Sequence, residues 1–207
     1  AEGAFGQYLI CFRDFPVAIG ITAGAREYLA ADICLKYMKE AISEPCNEEQ
    51  LEAAEKALRA KLNSLSLVQP EGTFRTARKE AAKLFDRKIL FTENPRKVES
   101  VVFTKEGYRI KIEAVINGEQ KTLYASYKAW KRNNLYPDDF TKKYQSVAYA
   151  MDAEALYLSV GLINTSYKEE YSLWVNSEDK VIATWRPNVT YLPEEPDMVW
   201  KFTGTFE

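Results

Sequence analysis

The sequence predicts an α+β fold, with N-terminal helices packed on a roughly seven-stranded antiparallel meander sheet or partly closed barrel. Two observations carry this prediction. Before residue 97, apolar side chains recur with the period of a helix, and from Val98 onward they mostly alternate with a period of two. Helices followed by strands, rather than alternating with them, are typical of α+β proteins.

The composition is that of a folded chain. The 207 residues are 46% hydrophobic and 13% aromatic, with 9 Gly and 8 Pro, which excludes a disordered protein. A chain of this length can form one large α+β domain. We therefore expect a single domain over 1–207, with a helical part at 1–97 and an antiparallel sheet at 98–207 that carries a helical insertion at about 128–153.

Two helices are predicted near the N-terminus. The first runs from Thr22 to about Ser43, and the second begins at Asn47, whose spacing to Gln50 is that of a capping box. Pro45 separates them, so we expect an antiparallel helix hairpin. Their apolar stripes indicate core packing: Ala30, Ile33, Cys34, Tyr37, Met38 and Ala41 in the first, and Leu51, Ala54, Leu58, Leu62 and Leu65 in the second.

A third helix is predicted from Thr73 to about Ile89. Its inner side carries Phe74, Ala77, Ala81, Leu84, Phe85 and Lys88, and its outer side carries Arg75, Arg78, Lys79 and Lys83. We interpret the basic stripe as a solvated face, with an acidic protein partner as the alternative. Nucleic acid is disfavoured because the aromatic side chains that would stack on bases face the other way.

The centre of the chain predicts a meander of three strands. Asn117-Gly118 is typical of a two-residue hairpin turn, and its register pairs Ile110 with Ala125. Residues 105–107 fit a three-residue turn that pairs Val102 with Ile110. The two turns assign one apolar face, made of Val98, Val102, Tyr108, Ile110, Ile112, Leu123, Ala125 and Tyr127, and one wet face, made of Arg109, Lys111, Glu113, Thr122 and Tyr124.

Residues 128–153 interrupt the strands. Pro137 suits the first turn of a helix, whose apolar side would carry Phe140, Tyr144, Val147, Ala148 and Met151. The loop before it holds Lys128, Trp130, Lys131, Arg132 and Tyr136. We interpret this loop as a surface connection anchored by Trp130, and it is the segment outside the core where a partner is most expected.

Strands return after Ala155, and Trp174, Trp185 and Trp200 lie on them. Tyrosine and tryptophan combine apolar bulk with a polar tip, which suits ligand pockets and interfaces as well as core filling. Adjacent acids occur at 138–139, 169–170 and 194–195. Two catalytic carboxylates must face each other, whereas neighbours on a strand point to opposite faces and turn residues point to water, so we interpret each pair as solvated.

Histidine is absent from the sequence. Its absence excludes Ser-His-Asp and Cys-His catalysis and metal sites that need imidazole. Phosphate-binding loops, EF-hand loops and nucleophile elbows are also absent. We therefore expect neither a cofactor nor a metal.

The three cysteines, Cys11, Cys34 and Cys46, leave the redox compartment open. A Cys34–Cys46 bridge is disfavoured by their separation along the predicted helix; Cys11 could pair with either, or all three could be buried free thiols. The chain begins with Ala-Glu-Gly, which suits signal-peptide cleavage and equally a trimmed chain. No stretch resembles a membrane span, and residues 4–24 are predicted to be a core segment. The expected location is extracytoplasmic, either periplasmic or secreted.

The sequence thus favours a non-catalytic binding or protein-interaction domain with an aromatic-rich sheet face or pocket. The alternative is a carboxylate-dependent hydrolase or lyase that works without histidine. The expected partner is a protein or a small hydrophobic ligand. The candidate binding residues are Trp130, Tyr136, Tyr124, Trp174, Trp185, Trp200, Arg75 and Lys79.

Overall fold

A computed structural model of the chain describes residues 1–25, 30–43, 47–136, 138–140, 143–189 and 198–207. The predicted roles of Pro45, Cys46, Pro137 and the acids at 194–195 lie outside the described residues. The chain divides into two compact units, Ala1–Val68 and Gln69–Glu207. Each unit is described by itself, so both the single domain and the packing of the helices on the sheet stay predictions. No helix in the described part of the chain is long and apolar enough to span a membrane.

The first unit contains a small antiparallel sheet and two helices. Its elements are β1 (Glu2–Gly3), β2 (Gln7–Cys11), β3 (Ala18–Ile21), α1 (Ala30–Ser43) and α2 (Glu48–Ser64). The strands alternate between exposed and half-buried residues, so the prediction of a core segment over 4–24 was wrong. Cys11 is exposed and free, and Cys34 is half-buried and free, so neither the Cys11–Cys34 bridge nor burial of Cys11 is found.

The start of α2 confirms the predicted capping box. The Asn47 side chain accepts a hydrogen bond from the Gln50 amide at 2.9 Å, and the Gln50 side chain accepts one from the Asn47 amide at 3.1 Å. The leucine stripe of α2 is exposed, however, and no residue of the helix is buried. Core packing of this stripe is therefore not observed.

The second unit contains one sheet of ten strands within the described residues. The strands are β4 (Lys88–Phe91), β5 (Val98–Glu106), β6 (Arg109–Ile116), β7 (Glu119–Tyr127), β8 (Lys131–Asn134), β9 (Tyr144–Met151), β10 (Ala155–Leu162), β11 (Lys168–Val175), β12 (Val181–Pro187) and β13 (Trp200–Phe206). A 3₁₀ helix, Lys79–Leu84, precedes them.

This sheet closes into a barrel, because β10 pairs with β11 along one edge and with β9 along the other. Nine strands form the ring, in the order β10, β11, β12, β13, β4, β5, β6, β7 and β9, and β8 pairs with the first half of β9. The expected α+β class fits, but the meander of about seven strands is replaced by a closed barrel. Closure satisfies the main-chain groups that an open sheet leaves unpaired at its edges.

The junction between β7 and β9 is the one parallel pairing among the described strands of the barrel, and it joins only two residue pairs. The side chain of Asn133, on β8, extends this junction. Its Oδ1 accepts from the Tyr124 amide at 2.8 Å, and its Nδ2 donates to the Tyr124 carbonyl at 3.0 Å and to the Lys131 carbonyl at 3.0 Å. One buried amide thus supplies hydrogen bonds to β7 that a longer main-chain ladder would otherwise supply.

The register of the central meander is confirmed for one turn and wrong for the other. Asn117-Gly118 forms the predicted two-residue turn, and Ile110 pairs with Ala125. The preceding turn is shorter than predicted, so Ile110 pairs with Lys105 instead of Val102. The inward residues of β5 are therefore Val101 and Phe103, which are buried, and Tyr108 lies in the turn and is 72% exposed.

The helix predicted over 73–89 is not formed. Arg78 is extended and Lys79 has a left-handed φ of 47°, so only the short 3₁₀ helix follows. The main chain of Phe74 pairs with Met151 of β9, through bonds of 2.8 and 3.0 Å. The predicted apolar side still packs against the barrel core, and Ala81 and Leu84 are fully buried.

The helical insertion predicted within 128–153 is also wrong. The chain forms β8 and β9 there, and residues 147–151 of β9 are buried on both faces. A strand that is apolar on both faces has no alternation to distinguish it from a buried helix. The helical spacing of Val147, Ala148 and Met151 was compatible with either structure.

Candidate functional site

The interior of the barrel holds a cavity to which all nine strands of the ring contribute. The volume that the centre of a water molecule can reach is about 130 Å³. The apolar lining consists of Phe91, Val98, Val101, Phe103, Ile112, Ala114, Ile116, Leu123, Leu135, Val147, Leu158, Val160, Leu173, Ala183 and Phe202. The polar lining consists of Arg96, Tyr136, Gln145, Glu169 and Tyr171.

This volume is large enough for a small organic molecule. A single water needs roughly 10–15 Å³ of volume measured in this way, and its share of liquid volume is about 30 Å³. On that scale the cavity corresponds to roughly 300 Å³ of ligand, which is the lower end of the range of ligand pockets. The apolar walls and the few polar groups are also typical of such pockets.

Three of the polar residues form a cluster at the cavity wall. An Nη atom of Arg96 lies 3.0 Å from the Glu169 carboxylate, and the Tyr171 hydroxyl donates to that carboxylate at 2.8 Å. Burial, together with the negative charge of Glu169, raises the pKa of Tyr171, so its hydroxyl stays protonated and remains a donor. Burial opposes the charge of Arg96, but Tyr171 and Glu169 outweigh it and raise the pKa of the guanidinium.

The loop between β4 and β5 presents Arg96 to the cavity. Asn94, which is buried, holds this loop: its Nδ2 donates to the carbonyls of Thr92 and Val98 at 2.9 and 2.8 Å, and its Oδ1 accepts from the Val98 amide at 3.1 Å. The Lys97 amide donates to the Asn94 carbonyl at 3.0 Å. Hydrogen bonds on both sides of Arg96 therefore hold this loop in place.

Two buried donors near the cluster have no acceptor within the described residues. They are Nε of Arg96 and Nε1 of Trp185. The guanidinium carbon of Arg96 lies 5.4 Å from the centroid of the Trp185 ring, so the two residues are neighbours. Buried donors are nearly always hydrogen-bonded in proteins, so both atoms are exceptions, and Arg96 is the one of the two residues that lines the cavity.

Three of the candidate residues from the sequence lie at or near the cavity. Tyr136 lines it, and Nζ of Lys121 lies 4.3 Å from the centroid of the Tyr136 ring. Trp185 and Trp200 are register partners on β12 and β13, and their ring centroids are 4.4 Å apart. Trp185 packs against the barrel core, next to Arg96.

Three other aromatic candidates are not among the lining residues. Tyr124 lies on the outer face of β7 and is half-buried. Trp174 lies on the face of β11 opposite to the lining, with Nζ of Lys201 6.0 Å from its ring centroid. Trp130 is half-buried in the connection after β7, and its Nε1 has no acceptor among the described residues.

The two basic candidates lie elsewhere on the barrel. The Arg75 guanidinium lies over the exposed Tyr108 ring at 4.6 Å, and the Arg75 carbonyl accepts from Lys105 Nζ and the Tyr149 hydroxyl, each at 3.0 Å. Lys79 is exposed at the start of the 3₁₀ helix. The structure therefore does not bring either residue to the cavity.

The sequence interpretation missed Arg96, Glu169 and Tyr171 as a site. A signal is present in the sequence, because Tyr171, Leu173 and Val175 alternate with a period of two, and Glu169 stands two residues earlier on the same face. A carboxylate on an apolar strand face indicates a buried partner. The prediction that Glu169 and Glu170 both face solvent was wrong for Glu169, which is 7% exposed.

The described lining residues suit neither a metal site nor catalysis by two facing carboxylates. No cluster of three potential metal ligands occurs in the part of the chain that the structure describes. Among the lining residues that are described, Glu169 is the one carboxylate. Two facing acids, as the hydrolase alternative requires, are therefore not assembled in this cavity.

Comparison with known proteins found no matching family model and no matching curated protein. Among solved structures, the chain is similar to apo lipid binding protein 8 of Caenorhabditis elegans, with 7% identity and a TM-score of 0.47 over 63% of this chain and 100% of that one. It is similar to the fatty-acid-binding protein isolated from Manduca sexta, with 10% identity and a TM-score of 0.43 over 59% and 98%. It is also similar to a protein described as REP1-NXSQ fatty acid transporter, with 12% identity and a TM-score of 0.44 over 61% and 97%.

Proposed function

We propose that the barrel binds a small, largely apolar molecule in its interior. The observation that carries this proposal is the cavity itself, of whose 20 lining residues 15 are apolar and 5 are polar. The apolar wall supplies affinity through the removal of ligand surface from water, and the polar cluster supplies orientation. The function proposed is binding rather than catalysis.

Protein interiors are normally close-packed, so an unfilled space in the barrel is unusual. A cavity costs stability because its lining loses van der Waals contacts, at roughly 24 cal/mol per Å³ of residual volume. A ligand that fills the space regains these contacts, so the cavity favours an apolar occupant.

Other expectations from the sequence remain predictions beside this proposal. They are a protein partner at the Trp130 loop, a binding role for the aromatic candidates, and an extracytoplasmic location. The proposal needs none of them, because each lining residue belongs to the barrel unit.

The proposal is tested by titrating the full chain with prodan, a neutral fluorophore whose emission reports an apolar environment. We expect saturable binding to the wild-type chain. The substitution Ala183→Leu extends a lining side chain into the cavity and should weaken binding at least about tenfold. The control Thr184→Leu adds an apolar side chain at the next residue of β12, which points to the other face of the strand, and should leave binding unchanged.

A second matched pair guards against misfolding of one variant. Ala114→Leu enlarges another lining residue, and Val115→Leu changes its outward neighbour on β6. Near-UV circular dichroism verifies that each variant keeps its tertiary packing. Equal prodan affinity in the inward and outward variants of both pairs would place the fluorophore outside the barrel and refute the proposal.

A further inference from the structure

We infer that the ligand of the barrel cavity carries a neutral oxygen acceptor, as in an alcohol, aldehyde or ester, and not a carboxylate. This inference rests on the proposed function, because it names the chemical class of the molecule bound in the same cavity. It follows from the charges and hydrogen-bonding groups at the cavity wall.

The charge of the site is already balanced without a ligand. Arg96 is the one cation and Glu169 the one anion among the described lining residues, and they lie 3.0 Å apart. Glu169 also accepts from Tyr171, so its charge is stabilised by two donors. A carboxylate ligand would bring a second anion beside Glu169 with no second lining cation to offset it, and like charges at short range are strongly unfavourable in an interior.

A further cation, which contacts a lining residue, does not change this balance. Lys121 contacts the Tyr136 ring, but it is not a lining residue, and its Nζ lies 2.6 Å from the carboxylate of Glu119. Its Nζ also lies 3.4 Å from the Leu135 carbonyl. The charge of Lys121 is thus already offset by an acid of its own strand.

The unused donors favour an acceptor. Nε of Arg96 and Nε1 of Trp185 are buried and have no partner among the described residues. A hydroxyl or carbonyl oxygen can accept from Nε of Arg96, which is a lining residue, without adding charge. A hydroxyl group could in addition donate to the Glu169 carboxylate, which retains acceptor capacity. A neutral oxygen therefore suits the balanced charge and the unpaired donor of the cavity wall better than either an anion or a hydrocarbon end.

The test compares three ligands with the same alkyl chain: decanol, decanoate and decylammonium. Calorimetric titration of the full chain at about pH 7 keeps the acid ionised and the amine protonated. We expect decanol to bind at least about tenfold more tightly than either charged ligand. Decanoate affinity equal to or greater than that of decanol would overturn the inference.

Two substitutions on neighbouring residues sharpen the test. Glu169→Gln removes the anion that balances Arg96, so decanoate should gain at least about tenfold in affinity and its binding should weaken with added salt. Glu170→Gln is the control, because Glu170 points away from the cavity and pairs with Lys168 at 2.7 Å. It should leave the ratio of decanol to decanoate affinity unchanged.

The outcomes separate this inference from the proposed function. If prodan binds in the barrel but decanol does not exceed decanoate, the inference fails and the proposed function stands. If neither prodan nor any of the three ligands binds, the proposed function fails and takes the inference with it. If the Glu169→Gln variant does not fold, the comparison of decanol and decanoate affinity in the wild-type chain still tests the inference.

Discussion

Arg96 and Glu169 lie 3.0 Å apart but differ in their access to water, since the side chain of Arg96 is 35% exposed and that of Glu169 is 9% exposed. The arginine comes from a loop and the glutamate from the inner face of a barrel strand. Removal of the glutamate therefore leaves an unpaired arginine, and removal of the arginine leaves an unpaired glutamate, and the two unpaired groups differ in hydration. The guanidinium can still be hydrated, whereas the carboxylate cannot.

This asymmetry predicts unequal costs of substitution. Arg96→Gln leaves Glu169 charged, poorly hydrated and without its cation, and should lower the free energy of unfolding by about 1–3 kcal/mol. Glu169→Gln leaves a cation that reaches solvent and should cost less than about 1 kcal/mol. Urea denaturation of both variants measures the difference. Equal costs, or a larger cost for Glu169→Gln, would contradict the assignment of burial.

The Asn133 side chain predicts a weak point at the junction of β7 and β9. Asn133→Ala leaves the main chain of Tyr124 without its two partners and should lower the free energy of unfolding by about 1–3 kcal/mol. Amide hydrogen exchange at Tyr124 should accelerate more than exchange elsewhere in the barrel. Asn134→Ala is the control, because Asn134 is the exposed neighbour on β8. Similar exchange rates at Tyr124 in both variants would show that the Asn133 side chain does not protect the main chain of Tyr124.

Gly204 predicts a steric limit inside the barrel. A Cβ atom at this position would lie 2.8 Å from Cγ2 of Ile89 and 2.9 Å from Cδ1 of Phe91, both side chains of the neighbouring strand. Gly204→Ala should therefore lower the free energy of unfolding by about 1–3 kcal/mol. Gly20→Ala is the control, since a Cβ atom there would meet no atom within 4 Å beyond its chain neighbours, and the φ of Gly20 is not left-handed. A neutral Gly204→Ala variant would show that the neighbouring strand moves freely.

Tyr157 and Asp152 predict a pH dependence at the turn between β9 and β10. Burial and the Asp152 carboxylate raise the pKa of Tyr157 from 10.0 to about 12. A raised folded-state pKa gives stability that is complete below pH 10.0 and is lost as the pH rises through about 12. Tyr157→Phe should remove this part of the loss of stability at alkaline pH. Thermal unfolding midpoints measured between pH 10.0 and about pH 12 test this. An unchanged alkaline profile in the variant would refute the assignment.

Asp152 contributes to stability at the acidic end of the pH range, and this contribution is lost as the pH falls, whereas that of Tyr157 is lost as the pH rises. Burial opposes its ionisation, but hydrogen bonds from the Tyr157 hydroxyl and from the amides of Glu154 and Ala155 lower the pKa of its carboxyl below 3.8. The stability that it provides is therefore present above pH 3.8 and is lost as the pH falls through the lower folded-state value. The Tyr157→Phe variant lacks one of these hydrogen bonds, so its thermal unfolding midpoint should fall less on acidification than that of the wild type.

Local chemistry explains which parts of the fold could be predicted. The Asn117-Gly118 turn fixes its own register, because both residues adopt the positive φ values that the turn requires, 51° and 77°. The capping box at Asn47 is equally local. Both predictions are confirmed, since each depends on residues within a few positions of one another.

Non-local pairing explains the failures. Phe74 lies against Met151, and β9 is buried on both faces, so the helical spacing in both segments was overridden by contacts with distant strands. The polar cluster depended in the same way on the closure of the ring, which brings the Arg96 loop to the inner face of β11. The alternation places Glu169 on the apolar face of its strand, but its partner there, Arg96, comes from a distant loop and could not be predicted.

The pairing of β4 with β13 has a consequence for how the barrel forms. Thr92 and Thr203 are hydrogen-bonded at 3.1 Å although 111 residues separate them in sequence. Such long-range closure makes folding slow, because the entropy of a long loop is lost before the contacts that reward it are made. A refolding chain should thus acquire the β5–β7 hairpins before it acquires any binding capacity, and a stopped-flow signal from prodan should lag behind the signal from secondary structure.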